Sequence, residues 1–192
     1  MSRLNVSLKA NLVSDIEEEA EKEGKTASSV VAEACKNYIE ISRTGMRCED
    51  IQKSLVLLKL VMALDAVPVP SLLLDHMIVT SLDHSHDQTL EKWRERGTVA
   101  GNIVKQYAPD IVKLKEMADT YSSMLPMDFL NIEITGDNVS VVVSGVGYSK
   151  QAAMCTCEGI VGFMGAYGLE ISGKESSESF IRISGKILRK SE

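Results

Sequence analysis

The sequence has no apolar run long enough to cross a bilayer. Its longest, Leu55–Leu64, carries Lys59 in its middle and falls well short of the roughly 20 residues that a spanning helix needs. The opening residues alternate polar with apolar instead of forming an apolar signal region, and these two absences predict a cytoplasmic protein with no membrane partner. Positive charge is not in excess either. Lys and Arg number 21 against 27 Asp and Glu, a formal net charge of −6, which excludes coating of nucleic acid through a global basic field. Any nucleic-acid contact must come from a small local surface. Cysteine is scarce, and Cys35, Cys48, Cys155 and Cys157 are expected to be thiols, because reducing compartments disfavour structural disulfides. There is no internal repeat and no low-complexity tract. No nucleophile, base and orienter can be assembled, and the Gly/Ser stretch around Ser144 lacks the context of a nucleophile elbow. The chain reads as a non-enzyme.

What is present is an ordinary globular composition, 44% hydrophobic and 25% charged over 192 residues, long enough for one large domain or two small ones. In Arg3–Lys9 the residues Leu4, Val6 and Leu8 alternate with Arg3, Asn5, Ser7 and Lys9, the period of a half-buried strand. A helix follows, with Leu12, Ile16 and Ala20 at four-residue spacing and carboxylates on the other faces. Gly24 suits a helix stop, and the Thr26 hydroxyl suits the cap of a second helix lined by Val30, Ala34, Tyr38 and Ile41. A lone strand leaves its backbone groups unpaired. The simplest remedy is a second copy of the same strand, antiparallel about a two-fold axis, so this half is expected to be a homodimer.

The order Arg3-Leu-Asn-Val-Ser-Leu, an acidic amphipathic helix, Gly24-Lys-Thr-Ala-Ser-Ser29 and Val30-Val-Ala-Glu-Ala34 resembles the ribbon-helix-helix repressors, relatives of Arc and MetJ, over residues 2–41. The resemblance implies a transcription regulator whose two-stranded ribbon enters the major groove of double-stranded DNA. It assigns base reading to Arg3, Asn5 and Ser7, and phosphate anchoring to Lys25, Thr26, Ala27 and Ser28 at a helix start, where free N–H groups suit an anion. Two features depart from the family. Lys9-Ala10 stands where members often carry a proline or an acidic residue, and Arg3 is the only arginine on the outward face. Residues 1–45 hold six cations against eight carboxylates, so the first-helix glutamates must point away from the phosphates. The alternative for the outward face is a plain dimerisation ribbon with solvated polar side chains.

The expected boundaries are 1–43 for the DNA-binding module and 46–192 for an α+β regulatory or oligomerisation domain, with Ser42-Arg43-Thr44-Gly45 as a hinge. The segment Asp50–Ala66 reads as a helix apolar on nearly all sides, hence buried in a core or a subunit interface, and Val67-Pro-Val-Pro70 breaks it. Helices follow over Leu72–Leu82, Gln88–Gln106 and Pro109–Met124. Strand-like Phe129–Ile134 and Val139–Val143 flank Gly136-Asp-Asn138, a hairpin signal. A helix over Lys150–Tyr167 and strands over Leu169–Gly173 and Ser179–Ile187 complete a β-β-α-β-β antiparallel sheet. This part resembles the 4-vinyl-reductase type of small-molecule-binding domain, through Cys155, Cys157 and Glu158–Glu170. The cysteines that such domains place in the last hairpin are absent, and no cofactor is assigned.

His84 and His86, in Asp83-His-Ser-His-Asp87, are the candidate metal ligands, placed in a loop, with solvated histidines as the plain alternative. The thiols of Cys155 and Cys157 lie near a helix start, where the dipole can lower a thiol pKa, or are buried and inert. Gly159, Gly162, Gly165 and Gly168 suggest a close-packing helix side, and Trp93–Arg96 an amphipathic helix surface. The reading overall is a dimeric, or tetrameric, DNA-binding repressor or activator with a domain that senses a small-molecule effector or extends the oligomer. Its rivals are an antitoxin with a partner-binding tail and a small-molecule-binding domain merely dimerised by the ribbon.

Overall fold

The computed structural model describes residues 5–125, 127–145 and 149–188. The architecture is α+β, and the chain divides into two compact units, 1–55 and 56–192. In the N-terminal unit, helix α1 spans Ala10–Lys22 and α2 spans Ala27–Arg43. Gly24, at φ +64°, makes the turn between them in the left-handed region that glycine enters without penalty. The Thr26 side chain accepts a hydrogen bond from the Ser29 amide and so caps α2. Thr44 closes α2 and Gly45, at φ +80°, redirects the chain where a hinge was expected.

The strand expected over Arg3–Lys9 is not present among the described residues of that segment. Asn5–Lys9 join no sheet, and Arg3 and Leu4 lie outside the described residues. The reason is physical, because a strand is defined by a ladder partner and the four strands among the described residues pair only with one another. Lys9 is extended (φ −67°, ψ 145°) and its carbonyl accepts from the Val13 amide, which starts α1. Among the described residues of this unit only Ala20 is buried. Val6 is 64% exposed, and Leu8, Leu12, Val13, Tyr38 and Ile39 are exposed as well. Two short helices cannot cover both of their own apolar stripes.

Helix α3, Cys48–Ala63, runs across the division between the units. It begins two residues before the expected start and stops three short of the expected end, where Asp65 turns into the left-handed region at φ +51°. Of the two settings expected for it, a core or a subunit interface, the chain's own core accounts for only part of the helix: Leu60 packs against the main core, while Leu55, Leu58 and Met62 are exposed.

In the C-terminal unit, α4 (Ser71–His84), α5 (His86–Val104) and α6 (Ile111–Tyr121) precede the sheet. The Asp110 side chain caps α6 by accepting from the Lys113 amide. Strands β1 (Phe129–Thr135) and β2 (Asn138–Ser144) form a hairpin with Thr135 opposite Asn138, turned by Gly136 at φ +62°. Helix α7 (Lys150–Ala166) then leads to β3 (Leu169–Ser177) and β4 (Phe180–Ile187), and the sheet order is β1-β2-β4-β3, antiparallel throughout. Strand β3 continues four residues beyond its expected end, past an irregularity between Ile171 and Gly173.

Alternation along β2 and β4 turns Val139, Val141, Val143, Ile181 and Ile183 inward, against Ala153, Cys157 and Met164 of α7 and Leu114 and Ala118 of α6. A second, smaller cluster joins Ile78 and Leu82 of α4 to Ala152 and Cys155 of α7, with Trp93 of α5 packed on it. Helices α5 and α7 approach until their backbones touch. A Cβ on Gly162 would overlap the Arg94 carbonyl oxygen, and one on Gly101 would lie 2.6 Å from the Phe163 oxygen. The expected glycine side of α7 is thus only partly a packing face. Gly165 meets nothing within 4 Å, and Gly168, at φ +79°, serves the turn after the helix.

Candidate nucleic-acid interface and buried ion pair

The residues assigned to base reading lie on the segment before α1, which carries no intrachain sheet contacts. Asn5 and Ser7 are exposed, as are Val6 and Leu8 between them, while Arg3 lies outside the described residues. Lys9 is exposed too and makes no ion pair with any described residue. It shares the alternation of Asn5 and Ser7, a signal that could have added it to the candidate set. At the start of α2, Thr26 and Ser28 are exposed and Ala27 half-buried. The amides of Ala27 and Ser28 occupy the first turn, where no intrahelical acceptor exists.

Lys25 is not free beside them. Its Nζ lies 2.6 Å from Glu23 Oε2 and 2.8 Å from Glu33 Oε2, and its hydrogen bonds to these two carboxylates raise its pKa. An arriving phosphate must compete with both carboxylates for this charge. On α1, Lys22 is likewise paired with Glu18 at 3.0 Å and Glu19 at 3.5 Å. Lys22, Lys25, Lys36 and Arg47 of this unit are thus paired with its own carboxylates, whereas Lys9, before α1, has no such partner among the described residues.

The metal expectation takes a different geometry. His84 ends α4 and His86 begins α5, with Ser85 between them, so the pair straddles a helix junction instead of sitting in a loop. His86 Nδ1 is 3.1 Å from Asp87 Oδ1, and among the described residues no group of three or more His, Cys, Asp or Glu side chains could hold a metal. Cys155 and Cys157 point into different clusters and are buried. Burial, and secondarily the negative charge of Glu158, pushes the Cys155 thiol up to about 11 and raises Cys157 as well. The helix dipole does not prevail, since Cys155 already lies more than one turn inside α7.

Sequence reasoning missed a charge arrangement built on a buried carboxylate. Glu158 of α7 is 4% exposed, and its carboxylate is held by Arg94 of α5, whose Nε lies 2.9 Å from Oε2, and by Lys174 of β3 on Oε1. Burial raises the Glu158 pKa, but hydrogen bonds from Lys174 and Arg94 outweigh it and hold the carboxyl below its usual range. Arg94 thus does more than decorate a helix surface. Its neighbour Trp93 turns into the second cluster. The arrangement fastens α5, α7 and β3 together through a buried carboxylate.

No protein family, curated protein or solved structure matches this chain. Its chemistry must be argued from its own residues.

Proposed function

We propose that the chain is a dimeric, sequence-specific DNA-binding regulator of the ribbon-helix-helix type. The observation that carries the reading is the N-terminal unit's unmet demand for a partner. An alternating segment without a strand partner leads into two helices joined at Gly24 and capped at Thr26, with Val6, Leu8, Leu12, Val13 and Ile39 all uncovered. A second copy pairing along residues 3–9 would satisfy the backbone and cover this apolar set in one step. Arg3, Asn5 and Ser7 would then face the major groove, and the amides of Ala27 and Ser28 would take phosphate.

Unit 56–192 then serves effector sensing or oligomerisation. Uncovered apolar side chains on α3 and α4 favour oligomerisation. The test is fluorescence anisotropy of the full-length protein with duplexes tiled from the DNA upstream of its own gene. One duplex should bind selectively, with affinity falling as salt rises. Arg3→Ala should lower its preference by about 1–3 kcal/mol, the worth of one good base contact. If wild type and Arg3→Ala bind every duplex equally poorly at low salt, the regulator reading is lost and a domain merely dimerised by its ribbon takes its place.

A further inference from the structure

We propose that α3 is a second self-association surface, distinct from the N-terminal ribbon, pairing with α3 of another copy of this chain. Along the helix, Ile51, Leu55, Leu58 and Met62 recur at alternating steps of four and three residues, the spacing of a coiled-coil seam. The seam faces outward, with Leu58 54% exposed and Met62 72% exposed, whereas Leu60, on the other side of the helix, packs against the main core. One helix thus has two apolar sides, of which its own chain covers one. A helix of this length is marginal in water without packing to support it.

More apolar side chains are uncovered in the residues that follow. Val67 and Val69, in the break after α3, and Leu72 and Leu73, in the first turn of α4, are exposed, Leu72 to 86%. With the seam, their exposed area is of the order of the ~800 Å² that each partner contributes to a standard interface.

The chemistry of the strip selects its occupant. Between Ser54 and Leu64 the only charged residue is Lys59, so a highly charged partner would gain nothing there. A membrane-surface helix carries a Lys/Arg-rich polar face, whereas α3 has two lysines and two carboxylates in a chain of net charge −6. A seam of seam-type spacing is complementary to its own copy, because the knobs of one helix fit holes of the same pattern on the other. The seam is also short. Two copies already held together elsewhere would present it at high effective concentration, so it adds to a dimer more than it would create one alone.

The test uses the full-length protein and sedimentation velocity across a concentration series. The double variant Leu58→Lys/Met62→Lys should raise the dimer dissociation constant at least about tenfold. Val112→Lys, at an exposed apolar position on α6 outside the strip, should leave it unchanged. Far-UV circular dichroism checks that the variants keep their helix. Should the double variant lose helix, Leu58→Ala and Met62→Ala, which keep helix propensity, should each weaken the dimer measurably.

An unchanged dissociation constant in the seam variants overturns the proposal. So does a wild-type protein that stays monomeric at every concentration, or that floats with phosphatidylglycerol vesicles through Leu58 and Met62 without self-associating. The ribbon is judged separately by Leu8→Glu. If that variant dimerises like wild type while the seam variant does not, the seam stands and the ribbon falls.

Discussion

Gly97 of α5 and Gly159 of α7 bring their helices into backbone contact, so that a Cβ on Gly97 would overlap the carbonyl oxygen of Gly159. The clash is with backbone, which cannot swing aside as a flexible side chain would. Gly97→Ala must push the helices apart and strain the Arg94–Glu158 contact beside them. The cost expected for such overpacking is about 1–3 kcal/mol. In a thermal melt the C-terminal unit should lose roughly 2–4 °C per kcal/mol.

The same helix supplies an internal control. Gly165 lies within α7 with open space around it, so Gly165→Ala should stabilise by about 0.5–1 kcal/mol through reduced freedom of the unfolded chain. If both substitutions move the melting temperature the same way, the close approach at Gly97 does not govern the stability of this interface.

These glycines also show how far the sequence could be read. Periodicity gave the existence and order of the five helices from α3 to α7 and of all four strands, because hydrophobic spacing is a local property. What each glycine does is not local. Gly162 is pressed against α5, a Cβ on Gly165, one turn further on, would meet nothing within 4 Å, and no feature of α7 alone distinguishes them. The Glu158 bridge escaped for the same reason, since Arg94 lies 64 residues away and Lys174 16. The one hint was a carboxylate within the apolar run Cys157-Glu-Gly-Ile-Val161. At the other end of the chain, alternation over residues 3–9 predicts a strand, yet the described residues Asn5–Lys9 join no sheet, because alternation is local and a ladder partner is not. For the candidate DNA-contacting residues, the sequence supplied the positions, while the pairing of Lys25 with Glu23 and Glu33 emerged only from the fold.

The Glu158 carboxyl makes stability depend on pH with a definite sign. Its pKa in the folded chain lies below the ordinary value of 4.5, so its contribution is present in full above that value and is lost as pH falls through the folded-state pKa. Glu158→Gln keeps the shape and removes the charge. Because Arg94 and Lys174 remain about half exposed, with side chains 53% and 48% accessible, the loss at neutral pH should be on the order of 1 kcal/mol. Urea midpoints measured from pH 7 down to pH 3 should show the gap between wild type and variant closing with acid. A gap that stays constant would mean that the bridge contributes through packing alone.

The two α7 thiols should be inert in the native protein. Burial holds Cys155 at about 11 and raises Cys157, so the thiolate, the reactive form, is rare at neutral pH and has no access to reagent. Iodoacetamide at pH 7.5 followed by peptide mass spectrometry should leave both unmodified in the folded protein and label both in guanidinium. Rapid native labelling of Cys155 would show that α7 opens locally at low cost.

The Lys25 pairing bears directly on the proposed operator contact. A phosphate at the start of α2 must compete with Glu23 and Glu33 for the same ammonium group, and the free protein holds both. Glu33→Gln removes one competitor without touching the Thr26 cap or the helix amides. On the operator-binding reading it should tighten binding to every duplex alike, because a phosphate contact carries no sequence information. Lys25→Ala should do the reverse, weakening binding uniformly and lowering the slope of log affinity against log salt by about 1. Anisotropy titrations between low and moderate salt measure both quantities. If Glu33→Gln leaves affinity and slope unchanged while Arg3→Ala abolishes selectivity, Lys25 stays with its carboxylates in the complex, and the phosphate is held by the Ala27 and Ser28 amides alone.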